Sequence, residues 1–229
     1  TATPMYGACP GTADVFTITV VPTPSVTDPS DVTFCNGAAT TAIAFTGTVT
    51  TYNWTISVPG IGLAASGTGT IPVFTATNAG AAPVVATITV TPRYTVGAVD
   101  CDGTPQTFTI TVQPTPTVTA TTDQIICNGA NTTLVTFAGT ATSFSWTNDN
   151  ASIGLASSGT GNIGAFAAVN TGTTPVVATI TVTPMYGACP GTADVFTITV
   201  VPTPSVTDPS DVTFCNGAAT TAIAFTGTA

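Results

Sequence analysis

Six cysteines fall in a fixed rhythm: Cys9 and Cys35, Cys101 and Cys127, and Cys189 and Cys215 are each 26 residues apart. Regularly placed thiols have two chemistries open to them, disulfides in an oxidising compartment or thiolate ligation of a metal such as zinc. Close metal-type spacing (Cys-x-x-Cys) is absent, and no histidine exists to complete a site. The pattern therefore reads as an extracellular disulfide set. Other reactive groups are few. The 229 residues include no His, Lys or Glu, Arg93 is the one basic side chain, and ten Asp bring the net charge to −9. The usual general bases and nucleophile activators are thus missing, and no enzymatic activity is expected. The pairs Asp28 with Asp31 and Asp208 with Asp211 read as turn residues, whose carboxylates bond nearby backbone. Asp100 and Asp102 in "DCDG" have the clustered carboxylates that calcium uses. The equivalent loops beginning at Ala8 and Ala188 read "ACPG", so calcium is no part of the repeating plan and no cofactor is expected.

The charge balance limits partners too. Only 5% of residues are charged, where roughly a quarter is ordinary. With no basic footprint, neither nucleic acid nor an anionic membrane surface is an expected partner. Mean hydropathy is high at +0.48, yet Thr, Gly and Pro interrupt every apolar run well before the roughly 18–20 residues of a spanning helix. Thr1 is not a natural start and no export segment precedes it, so the chain reads as an internal piece of something longer.

These side chains are set out by a repeat. Thr3 to Thr48 recurs identically as Thr183 to Thr228, an offset of 180 residues, and a diverged copy lies between. Pro22 recurs as Pro114 and Pro202, Trp54 as Trp146, and Pro83 as Pro175. The unit is about 90 residues long, the size of one small domain. Within it the apolar period is two, the signature of half-buried antiparallel strands. Ala86, Ile88 and Val90 alternate with Thr87, Thr89 and Thr91; Phe108, Ile110 and Val112 alternate with Thr107, Thr109 and Thr111. About seven short strands punctuated by Gly, Pro and Asn fit a β-sandwich. In the first complete unit, strand A is expected over 25–34, B over 40–46, C over 51–57, E near 72–77, F over 84–94 and G over 107–112. "PTP" marks each joint and stiffens it. The divisions are then 1–21, the closing hairpin of one repeat; 22–113 and 114–201, two complete repeats; and 202–229, the opening strands of another.

On this plan strands F and G form a hairpin that turns Thr87, Thr89, Thr91, Thr107, Thr109 and Thr111 outward as a hydroxyl ladder. Such a rank could take a polysaccharide, although Thr is also simply a good solvent-facing strand residue in a charge-poor protein. Trp54 and Trp146 are expected in the core.

"CNG" before strand B, "YNW" in strand C, "ASGTG", "VATITVTP" and "FTITV" followed by Pro-x-Pro together resemble the PKD-like and Ig-like tandem repeats of large surface proteins in the Bacteroidota. The resemblance runs the whole length of the chain. It departs from standard PKD domains, which carry Trp-x-Phe-Gly-Asp-Gly, where Trp54 here is followed by "TISVPG". What it implies is an all-β rod of tandem sandwich domains, cell-surface in location. Its role would be a structural stalk in an adhesive filament, with neighbouring repeats as the main partners; polysaccharide-binding modules are the alternative. In an Ig-like sandwich the A–B turn and the F–G loop lie at opposite ends, about 20 Å apart along strand B. Three pairings stay open: within domains (Cys35–Cys101, Cys127–Cys189), within the copied passage (Cys9–Cys35, Cys101–Cys127, Cys189–Cys215), or across a junction (Cys35–Cys189).

Overall fold

A computed structural model describes residues 1–228. The chain divides into two compact units, Thr1–Gln113 and the part from Pro114 onward. Unit 1 carries β1 (Met5–Tyr6), β2 (Cys9–Pro10), β3 (Val32–Cys35), β4 (Thr51–Ile56), β5 (Ser66–Thr68), β6 (Val84–Val96), β7 (Val99–Asp102) and β8 (Gln106–Gln113). Unit 2 carries β9 (Gln124–Cys127), β10 (Ser143–Asn148), β11 (Ser158–Thr160), β12 (Val176–Tyr186), β13 (Cys189–Pro190), β14 (Asp194–Val201), β15 (Ser205–Thr207) and β16 (Thr226–Thr228), with one 3-10 turn at Ala151–Ile153. No α-helix occurs among the described residues, and no helix is long and apolar enough to cross a membrane.

Each unit is a β-sandwich. In unit 1 one layer runs β3-β8-β6-β4-β5, with β7 folded back on β6; in unit 2 the same layer runs β9-β14-β12-β10-β11, with β13 on β12. The long strands form where the sequence alternates: Ala86, Ile88, Val90, Phe108, Ile110 and Val112 all point into the core. The facing layer is bonded more sparsely, through the bridges Ala39↔Thr75 and Ile43↔Ile71 in unit 1 and Asn131↔Ala167 and Val135↔Ile163 in unit 2. Ile71 and Ile163, from that layer, share the buried cores that hold Ile88 and Ile180.

Three expectations are corrected here. Strand A is not one strand over 25–34. Ser25 and Thr27 donate to the Thr48 and Thr46 carbonyls in the sparse layer, whereas β3 crosses to the other layer and lies parallel to β8. Asp28-Pro29 makes the break, since Pro cannot donate to a ladder. Segments B and E are not regular strands but irregular chain held at single bridges. Cys101 lies not in an open F–G loop but within β7, opposite Tyr94.

Candidate functional site

One feature repeats in both units, a parallel seam between the strand that enters each sandwich and the strand that closes it, and unit 1 adds an outward hydroxyl face. At the seam, Val32, Thr33, Phe34 and Cys35 stand opposite Ile110, Thr111, Val112 and Gln113. In unit 2, Gln124 to Cys127 stand opposite Ile198 to Val201 in the same sense. Both ends of the seam are secured by side chains. At its start the Asp31 carboxylate accepts the Thr109 N–H at 2.7 Å, as Asp123 does from Thr197 at 2.7 Å. At its end the Asn36 N–H donates to the Gln113 carbonyl, and Asn36 Oδ1 accepts the Asn78 N–H at 2.8 Å. Asn78 is buried, and its Nδ2 donates to the Val112 carbonyl at 2.8 Å and the Ala82 carbonyl at 2.9 Å. Asn128 and Asn170 repeat this network around Val200 and Thr174. "CNG" is therefore a clasp: Gly37 turns at φ +80°, a conformation glycine adopts without strain, while Asn36 ties the end of β3 to the neighbouring layer.

On the outer face, Thr89 stands opposite both Thr107 and Thr55, and Thr55 opposite Ser66. One hydroxyl row thus crosses four strands. Thr87 stands opposite Thr109 in the next row. The expected six-residue ladder is otherwise corrected: Thr91 faces Asn53 and has no partner on β8, and Thr111 lies between Val85 and Thr33. The β6–β8 ladder ends at Gln106 because Pro105 offers no N–H to extend it. Unit 2 breaks the pattern with apolar residues, since Val195 stands opposite Thr181 and Ile125 opposite Thr199.

Trp54 and Trp146 are both buried, with indole Nε1 lacking a hydrogen-bond partner in each case. Packing rather than polar bonding holds them. The acidic loop "DCDG" is occupied by the one cation of the chain: Arg93 donates to Asp102 at 2.6 Å and to Asp100 at 2.8 Å. The guanidinium hydrogen bond holds the Asp102 carboxyl below the usual carboxylate range and raises the Arg93 pKa. Both carboxylates thus face a charge that a calcium ion would have to displace. Among the described residues no three metal-ligating side chains gather.

Cys35 and Cys189 are disulfide-bonded; Cys9, Cys101, Cys127 and Cys215 carry free thiols. The within-domain pairs and the 26-residue pairs each need at least one of those four, so neither set is formed. Cys127 opens onto a cleft of ≈ 470 Å³ lined by Thr173, Pro175, Val201, Pro202 and Pro204. Among the described residues that line it, no titratable side chain besides the Cys127 thiol is present. Sequence reasoning misses Asn78, Asn170, Gly67 and Gly159, and it reads Asp31 as a turn residue although its carboxylate accepts the distant Thr109 N–H. The signal for the missed residues is recurrence at the Trp54-to-Trp146 offset; Gly67 and Gly159 sit in the short strands β5 and β11, and Asn78 and Asn170 in irregular chain that a periodicity argument does not reach.

No family model and no curated protein matches the chain. Among solved structures it is similar to human CDH23 EC21-23, at 16% identity and a TM-score of 0.40 over 90% of this chain and 80% of that one. It is also similar to extracellular cadherin domains 1-4 of Protocadherin Gamma B7, at 11% identity and a TM-score of 0.36, covering 83% of this chain and 55% of that one. The insect immune protein hemolin follows at 13% identity and a TM-score of 0.32, covering 79% and 47%. The chain spans about half the length of the last two. At TM-scores below 0.5 such likeness says nothing of function.

Proposed function

We propose that this chain is a force-bearing stalk segment of a large, repetitive, extracellular surface adhesin and has no catalytic role. The observation that carries this is the parallel pairing of the strand that enters each sandwich with the strand that closes it, β3 with β8 and β9 with β14. In a parallel pair, the chain entering the first strand and the chain leaving the last point in opposite directions. Tension along the backbone therefore loads all four registered positions at once, in shear. An antiparallel closing pair would instead be unzipped one bond at a time. Asp31, Asn36 and Asn78 fasten both ends of that seam. Repetition supports the same reading, because a copied passage adds length rather than a unique site.

The more specific form of the proposal rests on resemblance: the repeats most resemble those of the flavobacterial gliding-motility adhesin SprB. By that likeness the stalk would be exported by type IX secretion and serve surface attachment and gliding. The resemblance supplies no receptor. Pulling the reduced chain end to end in single-molecule force spectroscopy tests the force-bearing role, since the bonded Cys35 and Cys189 would otherwise shield part of it from force. Two discrete, high-force, all-or-none unfolding events are expected; gradual extension at low force would contradict it.

A second reading, polysaccharide binding, is favoured by the hydroxyl row Ser66–Thr55–Thr89–Thr107. Pull-down on insoluble neutral polysaccharides, lost on Thr89→Lys, would support it; no retention would remove it.

A further inference from the structure

Asparagine followed by glycine occurs at Asn36, Asn128 and Asn216, each time inside "CNG". This dipeptide carries a reaction of its own. Glycine has no Cβ to hinder its nitrogen, so that nitrogen can attack the side-chain carbonyl carbon of the preceding asparagine. The Gly N–H gives its proton to solvent base, the asparagine Cγ–Nδ2 bond breaks, and ammonia leaves as a cyclic imide closes. Water then opens either imide C–N bond, giving aspartate or isoaspartate. The sum converts one amide and one water to one acid and one ammonia, with no oxidation.

The clasp holds both partners of this reaction. The Gly37 N–H donates to the Ala76 carbonyl at 2.8 Å, so the attacking nitrogen is engaged. Asn36 Oδ1 accepts the Asn78 N–H at 2.8 Å, so the amide under attack is held as well. The Asn36 N–H, bonded to the Gln113 carbonyl at 3.0 Å, fixes the backbone beside them. Unit 2 repeats these bonds: the Gly129 N–H donates to the Ala168 carbonyl at 2.8 Å, the Asn170 N–H to Asn128 Oδ1 at 2.8 Å, and the Asn128 N–H to the Val201 carbonyl at 2.9 Å. At Asn216 the same turn closes, the Ala218 N–H meeting the Cys215 carbonyl at 3.0 Å as the Ala38 N–H meets that of Cys35 at 3.1 Å. Among the described residues, however, Asn216 and Gly217 make none of the clasp bonds. One chain thus holds the turn both with and without its clasp.

We propose that Asn36 and Asn128 are latent self-modification sites, which cyclise and lose ammonia only when the clasp opens. The isoaspartate product carries an extra main-chain carbon at residue 36 or 128, where the clasp needs two consecutive N–H groups in register. A clasp that has reacted therefore does not refasten as before, and the modification is a permanent mark of an opened seam.

Incubation of the whole 229-residue chain in mildly alkaline buffer, followed by reduction and peptide mapping, tests this. Cleavage before aspartate separates the identical copies, placing Asn36 in 31–99, Asn128 in 123–148 and Asn216 in 211–229. In the folded chain Asn36 and Asn128 should remain amides while most of Asn216 gains the mass of the acid. In urea Asn36 should convert as fast as Asn216. Asn78→Ala removes the side chain that ties the clasp to the Val112 carbonyl. It should speed conversion at Asn36 roughly 5–150-fold, the change in opening expected when buried acceptors lose their donor, and leave Asn128 at its wild-type rate. Gly67→Ala weakens the same unit away from the clasp, and should leave Asn36 at its wild-type rate too. Asn36 converting as fast as Asn216 in the folded chain overturns the proposal, as does an Asn36 that stays slow in urea or an Asn216 that does not convert. Asn78→Ala without acceleration, or equal acceleration by Gly67→Ala, also overturns it, by placing the protection outside the clasp.

Discussion

The indole of Trp54 occupies the space a side chain at Gly67 would need: a Cβ there would overlap Cζ2 and Cε2, and Trp146 meets Gly159 in the same way. Gly67 pairs directly with Trp54 between β4 and β5. The glycine of "ASGTG" is therefore fixed by close approach, since Gly67 does not lie at positive φ. Gly67→Ala should cost unit 1 about 1–3 kcal/mol, the usual penalty for overpacking a filled core. Chemical denaturation of Gly67→Ala and Gly159→Ala checks this, each variant weakening its own unit; an unchanged midpoint would mean that the indole moves aside freely.

Asn78 should matter more than its polarity suggests. It is buried and satisfies the Val112 and Ala82 carbonyls at the end of the seam. Asn78→Ala leaves both acceptors without this donor and should cost about 1–3 kcal/mol. Hydrogen exchange should show faster opening around Val112 in unit 1, with the equivalent region at Val200 unaffected.

Acid should loosen one hairpin and spare its copy. The Arg93 hydrogen bond holds Asp102 below the ordinary Asp value of 3.8. A carboxylate with a lowered folded pKa stabilises the fold above that ordinary value, and the contribution is lost as pH falls through the lowered one. Amide exchange at Tyr94 and Cys101 should therefore accelerate only in strong acid. The β12–β13 hairpin has Met185 where β6 has Arg93, and should show no such step.

Peptide mapping without reduction should find Cys35 and Cys189 in cross-linked peptides. Cys9, Cys101, Cys127 and Cys215 should be alkylated by a thiol reagent before reduction. A linked peptide containing Cys101 would contradict this assignment.

How much was legible in the sequence depends on which force fixed each element. β6 and β8 could be read residue by residue, because Ile88, Val90, Phe108 and Ile110 alternate strictly with Thr and the core enforces that alternation. The break in strand A could not. Val26 and Val32 are both apolar and both meet the core, so the pattern is silent on which layer each joins. That choice is made by Asp31 reaching Thr109, a contact between residues far apart in sequence. Alternation places the hydroxyls on the outer face but does not set the extent of the row, because Pro105 ends the β8 ladder before Thr91. Cysteine bonding is set by where the chain carries each thiol in space, and a constant spacing of 26 residues does not encode that.

If each unit resists tension through its parallel seam, a covalent lock across that seam should abolish the resistance. Thr33 and Thr111 stand in register, within the reach a disulfide needs. With Cys35 and Cys189 replaced by Ser, so that no native bridge shields the same residues, the oxidised Thr33→Cys/Thr111→Cys chain should shield residues 33–111 from force. The unfolding step of unit 1 should then shorten by roughly 3.3–3.6 Å for each shielded residue. Reductant should restore the full step at the original force. A unit 1 step that persists at the original force in the oxidised chain would place the resistance outside the locked seam, and the force-bearing account would be wrong.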